Sequence, residues 1–184
     1  MLGITRGYPM KNLLLITAAF FLFSCTQEIN ENPALLECPE ALALKALEYA
    51  VEYSNADTEY FWGGRDDLRS IKIDCSGLVL NCYKYAVNGT GCSLPFSDST
   101  VATLFSKWTV PTNSPRPGDL IFMGDDKSNP SHVSLYAGKD DENIYFIDST
   151  LKADDDINGV TERFYPIGDD RFLSFGALLV LGNG

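Results

Sequence analysis

Apolar residues recur at helical spacing in three segments of the first 110 residues. Between Pro39 and Tyr53 they share one face of a helix that starts with proline, a residue favoured in the first turn. The residues of this predicted inner face are Leu42, Ala46, Leu47, Ala50 and Val51. After Cys75 the apolar positions Leu78, Val79 and Cys82 indicate a second helix, which Asn88-Gly89 would stop. Ser97 or Ser99 could cap a third. The three predicted helices span 39–53, 75–86 and 100–108.

After Pro111 the pattern changes to short alternating or β-branched and aromatic runs, which are typical of strands. Five are predicted, over 119–123, 132–137, 143–148, 160–165 and 177–181. Helices followed by a run of strands favour an α+β fold, in which N-terminal helices pack on a mostly antiparallel sheet of about five strands.

The N-terminus has the pattern of an export signal. Lys11 precedes an apolar run from Leu13 to Phe23, which is too short to span a bilayer. The run ends in Leu22-Phe23-Ser24-Cys25, which resembles the bacterial lipobox. We expect residues 1–24 to be removed, Cys25 to be lipidated, and 25–38 to form a polar tether to a domain over 39–184. A plain secretory signal is the alternative.

Charge and cysteine content exclude several classes of function. The net charge is −11, and removing residues 1–24 takes away two of the 14 basic residues and no acid, leaving −13. Nucleic acid is therefore not expected as a partner. With one histidine and no Cys-x-x-Cys pair, neither a metal site nor another cofactor is expected. The remaining length suits one domain, which we expect to be a monomer.

Candidate chemistry centres on Cys75, in Asp74-Cys75-Ser76-Gly77, and on His132, the single histidine. The loop-to-helix pattern places Cys75 in the first turn, where backbone N–H groups and the helix dipole favour a thiolate. His132 is the one imidazole that could accept its proton. Taken separately, a buried cysteine is more often a core residue and a lone histidine is more often structural.

Four sequence blocks occur together and in order: Tyr60-Phe61-Trp62-Gly63-Gly64, Asp74-Cys75-Ser76-Gly77, Pro117-Gly118-Asp119-Leu120 and Ser131-His132-Val133-Ser134. With them the chain resembles the NlpC-type family of bacterial cell-wall cysteine peptidases. The resemblance implies a papain-like fold, a cysteine endopeptidase activity and peptidoglycan stem peptides as substrates. It also implies cleavage at the bond from γ-D-glutamate to the diamino acid.

The same resemblance implies roles for further residues. Asp148 lies on the strand after the histidine strand, where relatives usually carry His, Asn or Gln, and would orient His132. The alternative is that Asp148 only begins a turn. Tyr60 would line the cleft near the nucleophile, and Asp74 and Ser76 would contact the amino end of the stem peptide. Asp74 could also be the helix N-cap.

Two residues that follow Tyr60 closely in the sequence are not expected to take part in the chemistry. We interpret Trp62 as a core aromatic and Arg65 as a solvated surface residue rather than a partner of a substrate carboxylate.

The sequence thus predicts a hydrolase of the cell envelope. It would be a lipoprotein whose lipid anchors it to the outer membrane, with the domain facing the periplasm. The alternatives are an amidase or acyltransferase with the same Cys-His pair, and a non-catalytic lipoprotein that binds the wall.

Overall fold

The computed structural model describes residues 33–67 and 72–182. The predicted signal peptide and Cys25 lie outside these described residues. The helices are α1 (Glu40–Ser54), α2 (Cys75–Val87) and α3 (Val101–Lys107). The strands are β1 (Ala34–Glu37), β2 (Glu59–Tyr60), β3 (Lys72–Ile73), β4 (Cys92–Ser93), β5 (Thr109–Pro111), β6 (Leu120–Met123), β7 (His132–Lys139), β8 (Asn143–Lys152), β9 (Ile157–Pro166) and β10 (Phe172–Gly182).

The main sheet runs in the order β1-β10-β6-β7-β8-β9, and all of these neighbours are antiparallel. Strands β4 and β5 also pair with β10. The α+β prediction is confirmed, with three helices before five long or buried strands. The sheet has more strands than expected because short edge segments join β10, and one of them, β1, lies within the segment expected to be a tether.

Alternation along β6 divides the core into two layers. Leu120 and Phe122 belong to the large cluster shared with α1 and α2, whereas Ile121 and Met123 belong to a smaller cluster on the opposite face. Successive side chains of a strand point to opposite faces, which accounts for this division. The helices therefore cover one face of the sheet, where Cys75 is also buried.

The helix predictions differ from the structure in detail. Val51 was expected on the inner face of α1 but is exposed, and Ala43 and Tyr53 are buried instead. Helix α3 is capped by Thr100, whose hydroxyl accepts a hydrogen bond from the Thr103 N–H, rather than by Ser97 or Ser99. Across the part of the chain that the structure describes, every helix is too short or too polar to cross a membrane.

Candidate active site

The N-terminus of α2 places Cys75 at the floor of a cavity. Asp74 is the N-cap, as the sequence suggested, and its Oδ1 accepts a hydrogen bond from the Gly77 N–H at 2.7 Å. Cys75 is the first residue of the helix, so its thiol lies beside free backbone N–H groups and the positive end of the helix dipole. The cavity has a volume of about 370 Å³, and Tyr60, Trp62 and Ser131 contribute to its walls.

Two glycines allow the helix to approach the preceding loop this closely. A Cβ atom on Gly77 would lie 2.3 Å from the Gly64 carbonyl oxygen, and one on Gly64 would lie 2.6 Å from the Lys72 carbonyl oxygen. Neither position can accept a larger residue without moving backbone. Glycine is thus required by close backbone packing at Gly77 and at Gly64.

His132 and Asp148 meet at the start of β7. The imidazole Nε2 lies 2.5 Å from Asp148 Oδ2, which leaves Nδ1 as the ring nitrogen available to the Cys75 thiol. Burial lowers the pKa of His132, but hydrogen bonds to Asp148 and Cys75 outweigh burial and raise that pKa to about 10. The imidazole is therefore cationic at neutral pH and can donate a proton to a departing amine.

Asp148 is fully buried near the middle of β8. Burial raises the pKa of a carboxyl group, but here hydrogen bonds and charge attraction from His132 and Arg163 lower the pKa of Asp148 below its ordinary value. The carboxylate is ionised and can accept the imidazole N–H. The structure thus brings together all three residues predicted for the reaction, Cys75, His132 and Asp148.

Arg163 was missed by the sequence reasoning. Its Nε donates to Asp148 Oδ1 at 3.0 Å, and its Nη2 donates to Asp148 Oδ2. Asp148 is opposite Thr161 in the β8–β9 pairing, so Arg163, two residues further along β9, lies on the same face. The signal available in the sequence was one arginine within an aromatic strand. The register that places it against Asp148 depends on the turn after Lys152, which the pattern did not specify.

Asp74, Ser76 and Arg65 form one hydrogen-bonded group on the cavity wall. Asp74 Oδ1 accepts hydrogen bonds from Arg65 Nη1 at 2.7 Å and from Ser76 Oγ at 2.9 Å, and its Oδ2 accepts one from the Gly63 N–H. The expectation that Arg65 is simply solvated is wrong, because Arg65 also binds Asp98 at 2.9 Å. Its guanidinium is held between two carboxylates that the sequence places far apart.

Tyr60 and Trp62, at the two ends of the Tyr-Phe-Trp segment, differ in environment. Tyr60 is half-buried on β2, and burial together with the nearby Cys75 and Asp74 raises the pKa of its phenol, which therefore stays protonated and able to donate. Trp62 is 82% exposed, so its interpretation as a core aromatic is wrong. It stands at the rim of the cavity because Gly63, with φ of +76°, turns the chain directly after it.

Within residues 33–67 and 72–182, no group of three or more histidine, cysteine, aspartate or glutamate side chains is placed so that it could hold a metal ion. His132 is engaged with Asp148 and Cys75, and Asp74 with Arg65. The chemistry that this arrangement supports directly is that of a thiol and an imidazole.

The chain is similar to proteins of one known family. A family model described as NlpC/P60 family matches residues 57–161, which is more than half of the chain. No curated protein matches. Similar solved structures include an NlpC/P60 family protein from Bacillus cereus, with 20% identity and a TM-score of 0.48 over 78% of this chain and 40% of that one. Another is Ly7917, with 11% identity and a TM-score of 0.47 over 77% of this chain and 62% of that one.

A further structure, Ly7917 with the hydrolyzing product of MDP, has 13% identity and a TM-score of 0.45. The chain spans about two fifths of the Bacillus cereus protein and less than two thirds of Ly7917. The family match extends from the segment before Tyr60 to β9, and therefore includes Cys75, His132 and Asp148. On this match, the chain belongs to the NlpC/P60 family.

Proposed function

We propose that this protein is a cysteine endopeptidase that hydrolyses peptidoglycan stem peptides. The observation that carries the proposal is the line of hydrogen-bonded groups from Asp148 through His132 to Cys75, at the wall of an open cavity. Membership of the family supports a peptidase or hydrolase role at the cell wall. A binding module would have no use for a thiol, an imidazole and a buried carboxylate in this order.

In the proposed reaction the Cys75 sulfur attacks the carbonyl carbon of the scissile amide. His132 then gives its proton to the departing amine, the C–N bond breaks, and a thioester remains on Cys75. Water gives a proton to His132 as it attacks the thioester, which releases the carboxylic acid and restores the thiolate–imidazolium pair. Throughout, Asp148 accepts the Nε2–H hydrogen bond and keeps Nδ1 directed at the sulfur.

Developing negative charge on the carbonyl oxygen needs donors, and two are placed for it. The backbone N–H of Cys75 is free at the start of α2, and the protonated phenol of Tyr60 lines the same cavity. Together they form the proposed oxyanion site.

Asp74 and Ser76 are proposed to receive the amino end of the stem peptide. Asp74 Oδ1 is fully engaged by Gly77, Ser76 and Arg65, so the oxygen proposed for an ammonium group is Oδ2. Cleavage at the bond from γ-D-glutamate to the diamino acid follows from the family resemblance. We further propose that Cys25 carries a lipid that holds the domain at the outer membrane, facing the periplasm.

Product analysis distinguishes this proposal from the two alternatives. The purified protein is incubated with defined stem tripeptides and tetrapeptides, both with a free amino end and attached to the disaccharide, and the products are identified by mass spectrometry. The proposed endopeptidase yields the amino-terminal dipeptide, free or still attached to the disaccharide according to the substrate, and a fragment that begins with the diamino acid, with one water added in total. An amidase would release the whole stem peptide from the sugar, and an acyltransferase would join the acyl fragment to an added amine. Binding without any new product would contradict the proposal.

A further inference from the structure

The carboxylate that orients His132 is itself held by an arginine. Arg163 donates hydrogen bonds to both carboxylate oxygens of Asp148, from Nε to Oδ1 at 3.0 Å and from Nη2 to Oδ2. Oδ2 therefore accepts from His132 and Arg163 together, and Oδ1 accepts from Arg163. A two-pronged arginine contact fixes the plane of a carboxylate, not only its position.

Burial makes this contact consequential. Asp148 is fully buried, and the side chain of Arg163 is only 9% exposed. A carboxyl group in such a place without a cation tends to take up a proton, and a protonated carboxyl can turn its O–H toward His132 instead of accepting the imidazole N–H. The guanidinium supplies the charge that prevents this.

Arg163 is in turn fixed by its surroundings. Its Nη1 donates to the Tyr165 hydroxyl at 2.6 Å, and its guanidinium carbon lies 5.1 Å from the centre of the Phe146 ring. The Tyr165 hydroxyl also accepts a hydrogen bond from Lys152 at 2.7 Å. Contacts on three sides leave the guanidinium little freedom to rotate away from Asp148.

Other charged or titratable groups lie around the Arg163–Asp148 ion pair and contribute to the electrostatic potential there. These groups are Cys75 from α2, Asp125 from the segment after β6, His132 from β7, Lys152 from β8, Tyr165 from β9, and Arg171 from the segment before β10. Lys152 and Arg171 have their own carboxylate partners, Asp155 and Asp169, and neither forms an ion pair with Asp148 among the described residues.

We propose that Arg163 is a positioning residue of the active site, which keeps Asp148 ionised and turned toward His132. The inference rests on the proposed cysteine chemistry, and it adds a fourth residue that touches neither substrate nor nucleophile. A purely structural ion pair would stabilise the fold in the same way but would leave the proton equilibria of the Cys75–His132 pair unchanged.

The test uses the full chain with Arg163→Met, Arg163→Lys, Asp148→Asn and the Arg163→Met/Asp148→Asn double variant. For Arg163→Met we expect kcat to fall by about 10–100-fold, the range typical of residues that hold a ligating group in place, with KM within about threefold. Arg163→Lys, which keeps the positive charge but loses the bidentate hydrogen bonding, should recover part of that loss. In the Asp148→Asn background, removing Arg163 should have little further effect, because the two residues act through the same contact.

The pH profile separates positioning from stability. Without the guanidinium, Asp148 takes up a proton more easily and the His132 imidazolium loses its proton less easily. Both the acidic and the alkaline limb of the pH profile of kcat/KM should therefore move to higher pH, by roughly half a pH unit or more. Arg163→Lys should keep the limbs near their wild-type positions.

Arg116→Met is the matched control. Arg116 also pairs with a buried aspartate, Asp119, but outside the cavity that Cys75 lines. It should cost stability and leave both limbs in place.

The rate at which iodoacetamide alkylates Cys75, followed against pH, reports on the same pair without any substrate. If wild type cleaves no muropeptide, the proposed function fails, whereas the alkylation profile still tests Arg163. Folded Arg163→Met with wild-type kcat and unmoved limbs would overturn the proposal, as would losses that multiply in the double variant. If Arg163→Met does not fold, the proposal is tested by the kcat of Arg163→Lys, which should lie below that of wild type, and by the kcat of the double variant, which should be close to that of Asp148→Asn.

Discussion

Replacing Asp148 tests how the site is held together. In Asp148→Ala three donors lose their acceptor at once: His132 Nε2–H and the Nε and Nη2 groups of Arg163. The free imidazole can rotate or change tautomer. In Asp148→Asn the shape is kept, but the amide oxygen can serve only two of the three donors, and the amide NH₂ must face the third.

The two substitutions should differ in size of effect. Asp148→Ala leaves the Arg163 charge buried without its partner, which in proteins typically costs about 3–5 kcal/mol of stability. Loss of the orienting carboxylate in comparable triads lowers turnover by about 10²–10⁴-fold. In Asp148→Asn, an oxygen in the place of Oδ2 still serves His132 and Arg163 Nη2, and the repulsive contact falls on Arg163 Nε. We therefore expect more activity than in the Ala variant, and less than in wild type.

The assay is kcat/KM on one defined muropeptide, with the free energy of unfolding measured by urea for each variant. Asp119→Ala is the control, because Asp119 is a buried aspartate that also accepts from an arginine, away from Cys75. It should lose stability but retain kcat. A folded Asp148→Ala enzyme within about threefold of wild type, a difference of well under 1.4 kcal/mol in activation free energy, would refute the reasoning.

Three further predictions follow from the site and the N-terminus. At neutral pH, iodoacetamide should alkylate Cys75 faster than Cys38, whose pKa burial raises to about 12, and faster than Cys82 or Cys92; peptide mass spectrometry showing equal labelling would argue against an activated thiol. Folding raises the pKa of His132, so the stability that its charge contributes is complete below pH 6.5 and is lost as the pH rises toward about 10. The difference in unfolding free energy between wild type and His132→Gln should therefore shrink over that interval. A constant difference would contradict the raised pKa. Cys25→Ala should abolish incorporation of labelled fatty acid, while Cys38→Ala should not; equal labelling of wild type and Cys25→Ala would exclude lipidation there.

The sequence was sufficient for most of the elements and for the three residues that meet at the candidate site, because most of these leave local signals. Strand and helix periods predicted α1, α2 and the five strands from β6 to β10, and the Asp-Cys-Ser-Gly turn predicted a thiol at a helix start. Asp148 was placed by the family resemblance, which implies an orienting residue on the strand that follows the histidine strand by one hairpin. These features depend on neighbours close along the chain.

Features that depend on long-range register were missed. Arg163 meets Asp148 through the pairing of β8 with β9, and Arg65 meets Asp98 across 33 residues. Trp62 has the composition of a core residue, but it is exposed because Gly63 turns the chain and the Gly64–Gly77 contact already fills the space beneath. Hydrophobicity alone gives no information about that turn.

The central claim is that Cys75 and His132 together break the peptide bond. Its most direct test is kcat/KM on a defined stem peptide for Cys75→Ser, His132→Gln and the control Cys82→Ala, which removes a fully buried thiol seven residues further along the same helix. We expect both site variants to lose at least about 10⁴-fold while remaining folded, and Cys82→Ala to stay within a few fold of wild type. Cleavage of the same bond by folded Cys75→Ser at a rate near that of wild type would contradict the account.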